Sequence, residues 1–272
     1  MGLVQLAKHN KEAIENGEAV FETSLHRLFL GNPGTGKTTV AKLYGKLLCE
    51  LGFLSSGEVI VMDASELTGA HEGATEQKVN DLLHSAAGKV LVIDEAYVLA
   101  KSHYGREVLD VLVGRVQGTP GEDFAVILCG YKKEMRSMLR CNPGIARRFA
   151  LDDAFHFADY SDEELTIIMQ RQAASYNVFV SEEVARSVVQ KVLSKQRARP
   201  NFGNAGAATN LLKRGQHRWM LRASKNDVGV VRKDGKLLLI ETDLVNANDL
   251  LRLESEEKDE GKMNTVHIWL SL

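Results

Sequence analysis

Gly31-Asn32-Pro33-Gly34-Thr35-Gly36-Lys37-Thr38 sets a lysine and a hydroxyl directly behind a run of small residues, in the spacing G-x-x-x-x-G-K-[ST]. Such a stretch can hold a chain of phosphates. Glycines let the backbone curl so that successive N–H groups aim at one phosphate, and a helix starting there adds the positive end of its dipole. Asn32, Pro33, Gly34, Thr35, Gly36, Lys37, Thr38 and Thr39 are therefore the expected nucleotide-binding residues. Lys37 is the point charge for the outer phosphates, and the Thr38 hydroxyl is a ligand for magnesium. Further on, Val90-Leu91-Val92-Ile93 runs straight into Asp94-Glu95. An apolar strand that ends in two acids delivers them to the carboxyl edge of an open α/β sheet, where ligands bind. Asp94 is expected to hold magnesium through its waters, and Glu95 to orient and polarise an attacking water as general base. Standing alone, the acid pair could also be a helix start gaining dipole stabilisation; the upstream lysine loop makes that the lesser reading. The second acid and the lack of an NKxD motif speak against a GTPase.

These residues need a scaffold, and the pattern around them supplies one. A helix over 3–17 precedes a strand Leu25–Leu30, and a helix Thr38–Leu51 follows the glycine-rich turn. Strand Glu58–Met62, a helix capped by Thr75, strand Val90–Ile93, helix Arg106–Val116, strand Ala125–Cys129, helix Lys132–Leu139 and strand Phe155–Phe157 come next. Strand and helix alternate, and the Val90–Ile93 run is apolar on both faces, so the fold class is α/β with a doubly wound parallel sheet. From Ser161 the pattern turns helical. Ser161 with Glu164 forms a capping box, Ser181 opens a second helix, and a third covers about 205–221. This predicts an α/β nucleotide-binding domain over 1–158 and a small all-helical lid over 159–222. An extension over 223–252 carries a hairpin of Val228–Val231 and Lys236–Ile240 around Asp234-Gly235, and 253–272 is an acidic tail.

Composition excludes several classes. The 272 residues are 44% hydrophobic and 26% charged with a net charge of −2, and no Lys/Arg-rich stretch offers a nucleic-acid surface. No apolar run approaches a membrane span. Three cysteines (Cys49, Cys129, Cys141) form no CxxC pair. With no secretory leader, they point to a reducing compartment: cytoplasmic, or nuclear in a eukaryote.

Leu28–Ala41, Leu91–Tyr97, Tyr104–Val111, Leu128–Met135, Asn142–Arg148 and Phe157–Leu165, taken as a spaced set, resemble the AAA+ ATPases. Within them the match is to the CbbX/CfxQ-like, or stage V sporulation protein K-like, group, and it covers roughly residues 3–222. The resemblance implies ATP and Mg2+ as ligands and a ring of subunits, either a homo-oligomer or tandem modules. It further implies a protein client that ATP hydrolysis remodels. Arg148 falls at the arginine-finger position and would act in trans on the neighbouring subunit's ATP; otherwise Arg147-Arg148 is a surface basic pair.

Four features depart from the group. His71-Glu72 replaces the aromatic–aliphatic pore pair, which leaves threading open against a plain solvated loop. Gly206 and Thr209 stand where lid arginines are expected, with Lys213 and Arg214 further along the helix. Cys129-Gly130-Tyr131 occupies the place of a polar sensor, where Tyr131 either serves by its hydroxyl or packs. The chain also begins inside or after the segment that covers adenine. Two readings follow: an ATP-hydrolysing remodelling module, or a nucleotide-binding assembly module with weak or no hydrolysis.

Overall fold

The computed structural model describes residues 2–21, 23–68, 74–117, 122–224, 232–233 and 235–246. They divide into two compact units. One comprises the residues up to Gly31 together with Gly36–Phe157, the other Asn32–Thr35 with the described residues from Ala158 onward.

In the first unit the helices are α1 (Leu3–Asn16), α2 (Lys37–Glu50), α3 (Ala74–Ser85), α4 (His103–Arg115), α5 (Lys132–Cys141) and α6 (Pro143–Arg148). The strands are β1 (Arg27–Gly31), β2 (Val59–Asp63), β3 (Val90–Asp94), β4 (Ala125–Gly130) and β5 (Phe155–Phe157). Among the described residues these five form one parallel sheet in the order β2-β3-β4-β1-β5. Period-two alternation sorts its side chains into two cores. Leu28, Leu30, Leu91, Ile93, Val126 and Leu128 pack on one face with the apolar sides of α3, α4 and α5. Phe29, Val90, Val92, Ile127 and Cys129 pack on the other with Ala41, Tyr44 and Leu48 of α2. Burying one such side chain stabilises by roughly 1.5–3 kcal/mol, so a one-residue slip that exchanged the faces is disfavoured many times over. Helix α2 lies tight on the approach to β2, because Gly45 faces Gly57. A methyl on either would come 2.4 Å from the other's carbonyl oxygen.

The predicted strands and helices of this unit appear within a few residues of their expected limits. Two differ for local reasons. The fourth helix starts at His103 rather than Arg106, because Ser102 caps it by accepting from Gly105 N at 3.0 Å. Thr75 is no cap: it lies in the first turn of α3, fully buried. Pro143–Arg148, unassigned in the pattern, is helical because Asn142 caps it (Ile145 N to Oδ1, 3.1 Å) and proline suits a first turn.

The second unit holds α7 (Asp162–Ser175), α8 (Glu182–Val188) running through a π-helical stretch Val189–Leu193 into α9 (Ser194–Arg197), then α10 (Asn204–Ser224) and α11 (Glu241–Leu244). The Ser161–Glu164 capping box forms as expected, and Ser181 caps α8. A small sheet, β6 (Val178–Phe179), β7 (Arg232–Lys233) and β8 (Lys236–Leu238), is ordered β6-β8-β7 among the described residues. Among the described residues the hairpin pairs Arg232–Lys233 with Lys236–Leu237 across the expected turn, with Gly235 at φ 74. Its predicted first strand, 228–231, lies outside the described residues, as do His71-Glu72 and the 253–272 segment. Leu239, Leu244 and Val245 join the core made by α7, α8 and α10. No helix among the described residues is long and apolar enough to cross a membrane.

Candidate functional site

At the end of β1 only glycine fits position 31: a Cβ there would come 2.4 Å from the Phe157 carbonyl oxygen. The chain then turns sharply, with Gly34 at φ 70 and Gly36 at φ 89 in the left-handed region that glycine enters without strain. Gly36 is the N-cap of α2, and no side chain caps that helix. An anion at this end would meet first-turn amides and the positive end of the helix dipole. Lys37 Nζ donates to Gly31 O at 3.0 Å, so the ammonium arches back over its own loop. Thr38 is half-buried beside it and Thr39 is exposed.

The loop tip, Asn32–Thr35, groups with the second unit, and its contacts there are specific. Thr35 is buried; its hydroxyl donates to Asn32 O (2.8 Å), and its carbonyl accepts from the Tyr160 hydroxyl (3.0 Å). Asn32 Nδ2 lies 2.9 and 3.0 Å from the two Asp159 carboxylate oxygens. Asn204, fully buried at φ 46, donates to Asp159 Oδ1 (2.7 Å) and to Pro33 O (3.3 Å), and accepts from Tyr160 N (3.0 Å). Ala205 N donates to Gly34 O at 3.3 Å. Sequence reasoning gave Asp159 and Asn204 no role; the available signal was a short polar side chain at or just ahead of the starts of α7 and α10.

Asp94 and Glu95 leave β3 together. Asp94 stands in register with Asp63 at the end of β2. Asp63 is committed to local capping: Ser65 N and Ser65 Oγ both donate to it, and these bonds hold its carboxyl below the ordinary range. Asp94 Oδ1 accepts from Glu95 N at 3.0 Å. Glu95 sits at φ 53, a left-handed conformation that costs a non-glycine residue roughly 1–3 kcal/mol. Its carboxylate accepts a hydrogen bond from the Tyr97 hydroxyl. Burial first, and then that bond, raise the Tyr97 phenol. Tyr131, expected as a sensor or a packing residue, is also raised, by burial and then by Glu95, Glu134 and Asp94. Its ring stands 5.7 Å from that of Tyr97.

Strand β4 lies between β1 and β3, so the lysine loop and the acid pair flank its end. Buried Cys129 feels both: burial foremost, with Asp94 adding to it and Lys37 opposing, pushes its thiol up to about 12. The oxygen donors on offer are a threonine hydroxyl and carboxylates, and the described residues contain no cluster of three or more His, Cys, Asp or Glu that could cage a metal. That set fits Mg2+, which keeps waters and takes phosphate oxygens rather than a full protein cage.

Arg148 ends α6, which is anchored to α4 by Asn142 Nδ2 donating to Asp110 Oδ1 (3.1 Å) and by Gly144 seated against Val113. Arg148 is half-buried, and its Nε is buried without a hydrogen-bond partner. Gly206 lies in the first turn of α10 with open space where a side chain would go; Lys213 and Arg214, further along, are exposed. A cavity of about 610 Å³ elsewhere in the first unit, lined by Val4, Ile14, Phe21, Leu51 and Phe53, contains none of these residues.

Residues 27–150 match the family described as "ATPase family associated with various cellular activities (AAA)", and 161–254 match the AAA lid domain. The chain is 41% identical over 177 residues to stage V sporulation protein K of Bacillus subtilis, covering 64% of this chain and 54% of that protein. It is 36% identical over 232 residues to the plasmid-encoded CbxX of Cupriavidus necator (84% and 70%). It is 33% identical over 237 residues to the chloroplastic ribulose bisphosphate carboxylase/oxygenase activase of Cyanidioschyzon merolae (84% and 76%). The chain thus spans little more than half the length of the Bacillus protein. In fold it is similar to the FIGL-1 AAA domain in complex with ADP (TM-score 0.59, 18% identity, 94% of this chain and 85% of that one). A RuvB mutant of Thermotoga maritima gives a TM-score of 0.52 at 21% identity, over 93% and 67%. With its phosphate loop, its strand-end acids and its lid, the chain belongs to the AAA ATPases, in their CbbX/CfxQ-like group.

Proposed function

We propose that this chain is an ATP-hydrolysing module that remodels a protein or protein complex, working in a ring of like subunits or tandem modules. The observation that carries the reading is the placement of Lys37 and Asp94-Glu95 at the ends of β1 and β3, one strand apart across β4. Gly31–Thr38 would clasp the triphosphate with backbone amides and the Lys37 ammonium. Thr38 and Asp94 would hold Mg2+, which would supply positive charge against the phosphates. Glu95 would accept a proton from water as its oxygen bonds to the γ-phosphorus and the bond to the β–γ bridging oxygen breaks, releasing ADP and phosphate. Arg148 would enter a neighbour's site and neutralise charge on the transferred group; the buried, partnerless Nε and the braced α6 support a role beyond a surface basic pair. Free Cys49, Cys129 and Cys141 suit a reducing, cytoplasmic setting.

A second reading, a nucleotide-binding assembly module with weak turnover, draws on one feature: Gly206 at the lid position where the group carries a cation. Magnesium-dependent ATP turnover, measured together with native mass, separates the two. Glu95→Gln is expected to keep ATP bound while turnover falls by about 10²-fold or more. Wild-type protein that binds ATP in every oligomeric state yet never releases phosphate would leave the assembly reading.

A further inference from the structure

Glu95 is gripped by a phenol to which the hydrolytic reading gives no part. Tyr97 lies two residues further on, in a 3-10 run over Ala96–Lys101, and its hydroxyl donates to a Glu95 carboxylate oxygen. The Tyr97 ring is held from several sides. It is 9% exposed and lies so close to Gly130 that a Cβ there would meet its Cδ1 at 2.9 Å. The Tyr131 ring is 5.7 Å away, and the Lys101 ammonium stands 5.0 Å above its face. A ring pinned this way can aim its hydroxyl in few directions.

The direction matters because of strand order. Gly130 ends β4, and β4 separates β3 from β1. A carboxylate tethered to a ring seated on that end is drawn to the side of β3 that faces the lysine loop. The opposite side belongs to β2, whose terminal Asp63 is occupied by Ser65. The left-handed backbone at Glu95 turns the side chain off the strand axis, and the phenol then fixes where it points.

We propose that Tyr97 is a positioning residue for hydrolysis: its hydroxyl holds the Glu95 carboxylate on the β4 side of the strand end, where the attacking water must lie. The proposal rests on Glu95 being the general base. Tyr97→Phe keeps the ring, its contact with Gly130 and the cation above it, and removes only the tether.

The test uses the full chain and compares Tyr97→Phe with Glu95→Gln in steady-state ATP turnover, nucleotide affinity and thermal midpoint. Tyr97→Phe is expected to lower kcat by about 10-fold or more, as a misdirected base does, with KM for ATP and the thermal midpoint unchanged. If Glu95→Gln turns over like wild type, the general-base reading itself fails. If Glu95→Gln is inactive while Tyr97→Phe matches or exceeds the wild-type kcat, or changes KM alone, the positioning role is overturned and the base survives. A second measurement needs no turnover. With isotope-labelled tyrosine ring carbons, the Tyr97 resonance, assigned through Tyr97→Phe, must move in Glu95→Gln. A stationary signal removes the tether and the proposal with it.

Discussion

The two compact units place their polar groups by opposite means. In the α/β unit, Lys37, Asp94 and Glu95 each follow a strand whose side chains are almost wholly buried, so the register of hydrophobic residues dictates where the charge emerges. In the helical unit, Asp159 and Asn204 meet across 45 residues of chain, brought together by the packing of helices around Leu165, Leu211 and Leu212. The first arrangement is robust to changes in surface residues. The second is a knot of hydrogen bonds around Asp159 and Asn204. The sheet thus places its charged groups by strand register, and the helical unit places its polar groups by packing.

Three experiments break or sharpen that contrast. The largest effect is expected from Arg148→Ala: turnover should fall by about 10³-fold or more, because a transition-state cation is removed. Mixing with Lys37→Ala chains, which keep the finger, should return part of it. A loss that mixing cannot reverse would mean that Arg148 acts within its own subunit or only in folding. Next comes Lys37→Ala, expected to weaken ATP binding by roughly 10- to 100-fold through loss of a charge-assisted phosphate contact. Equilibrium titration with a fluorescent ATP analogue measures it, and unchanged affinity would remove the phosphate cradle from the sheet. The smallest effect is a gain. Gly206→Arg enters open space in the first turn of α10, where the roughly 0.8 kcal/mol gained by replacing a helix-interior glycine is reduced by a cation at the positive end of the helix dipole. Thermal unfolding should therefore rise by no more than about two degrees. If the helical unit lacks only that cation, kcat should also rise several-fold; a stability gain with flat kcat would show that the glycine costs the reaction nothing.

Much of this was legible in the residues. Phosphate-loop chemistry is local: eight consecutive residues define the turn, the helix start and the lysine, and the apolar run before Asp94 announces a buried strand. Ser161 with Glu164 carries its own cap. What stayed hidden depends on tertiary contact. Tyr97 was in plain view within the quoted Leu91–Tyr97 motif, yet its bond to Glu95 needs the left-handed turn at Glu95 and the seat on Gly130, neither of which has a spacing signature. Asp159 and Asn204 look like ordinary loop polars until the fold buries one and pairs both. The hairpin turn at Gly235 was legible too, and Arg232–Lys233 pairs with Lys236–Leu237 across it.

Strand order also governs how the α/β unit is born on the ribosome. Arg27 pairs with Ile127, about a hundred residues later, and Phe29 with Phe155 later still, so the unit has high contact order and its first strand waits for partners made last. Until β4 emerges, Leu28, Phe29 and Leu30 form an uncovered sticky segment that invites aggregation or chaperone capture. Nascent chains stalled before Gly130 should be protease-sensitive throughout, and resistance should appear abruptly once Phe157 has cleared the exit tunnel.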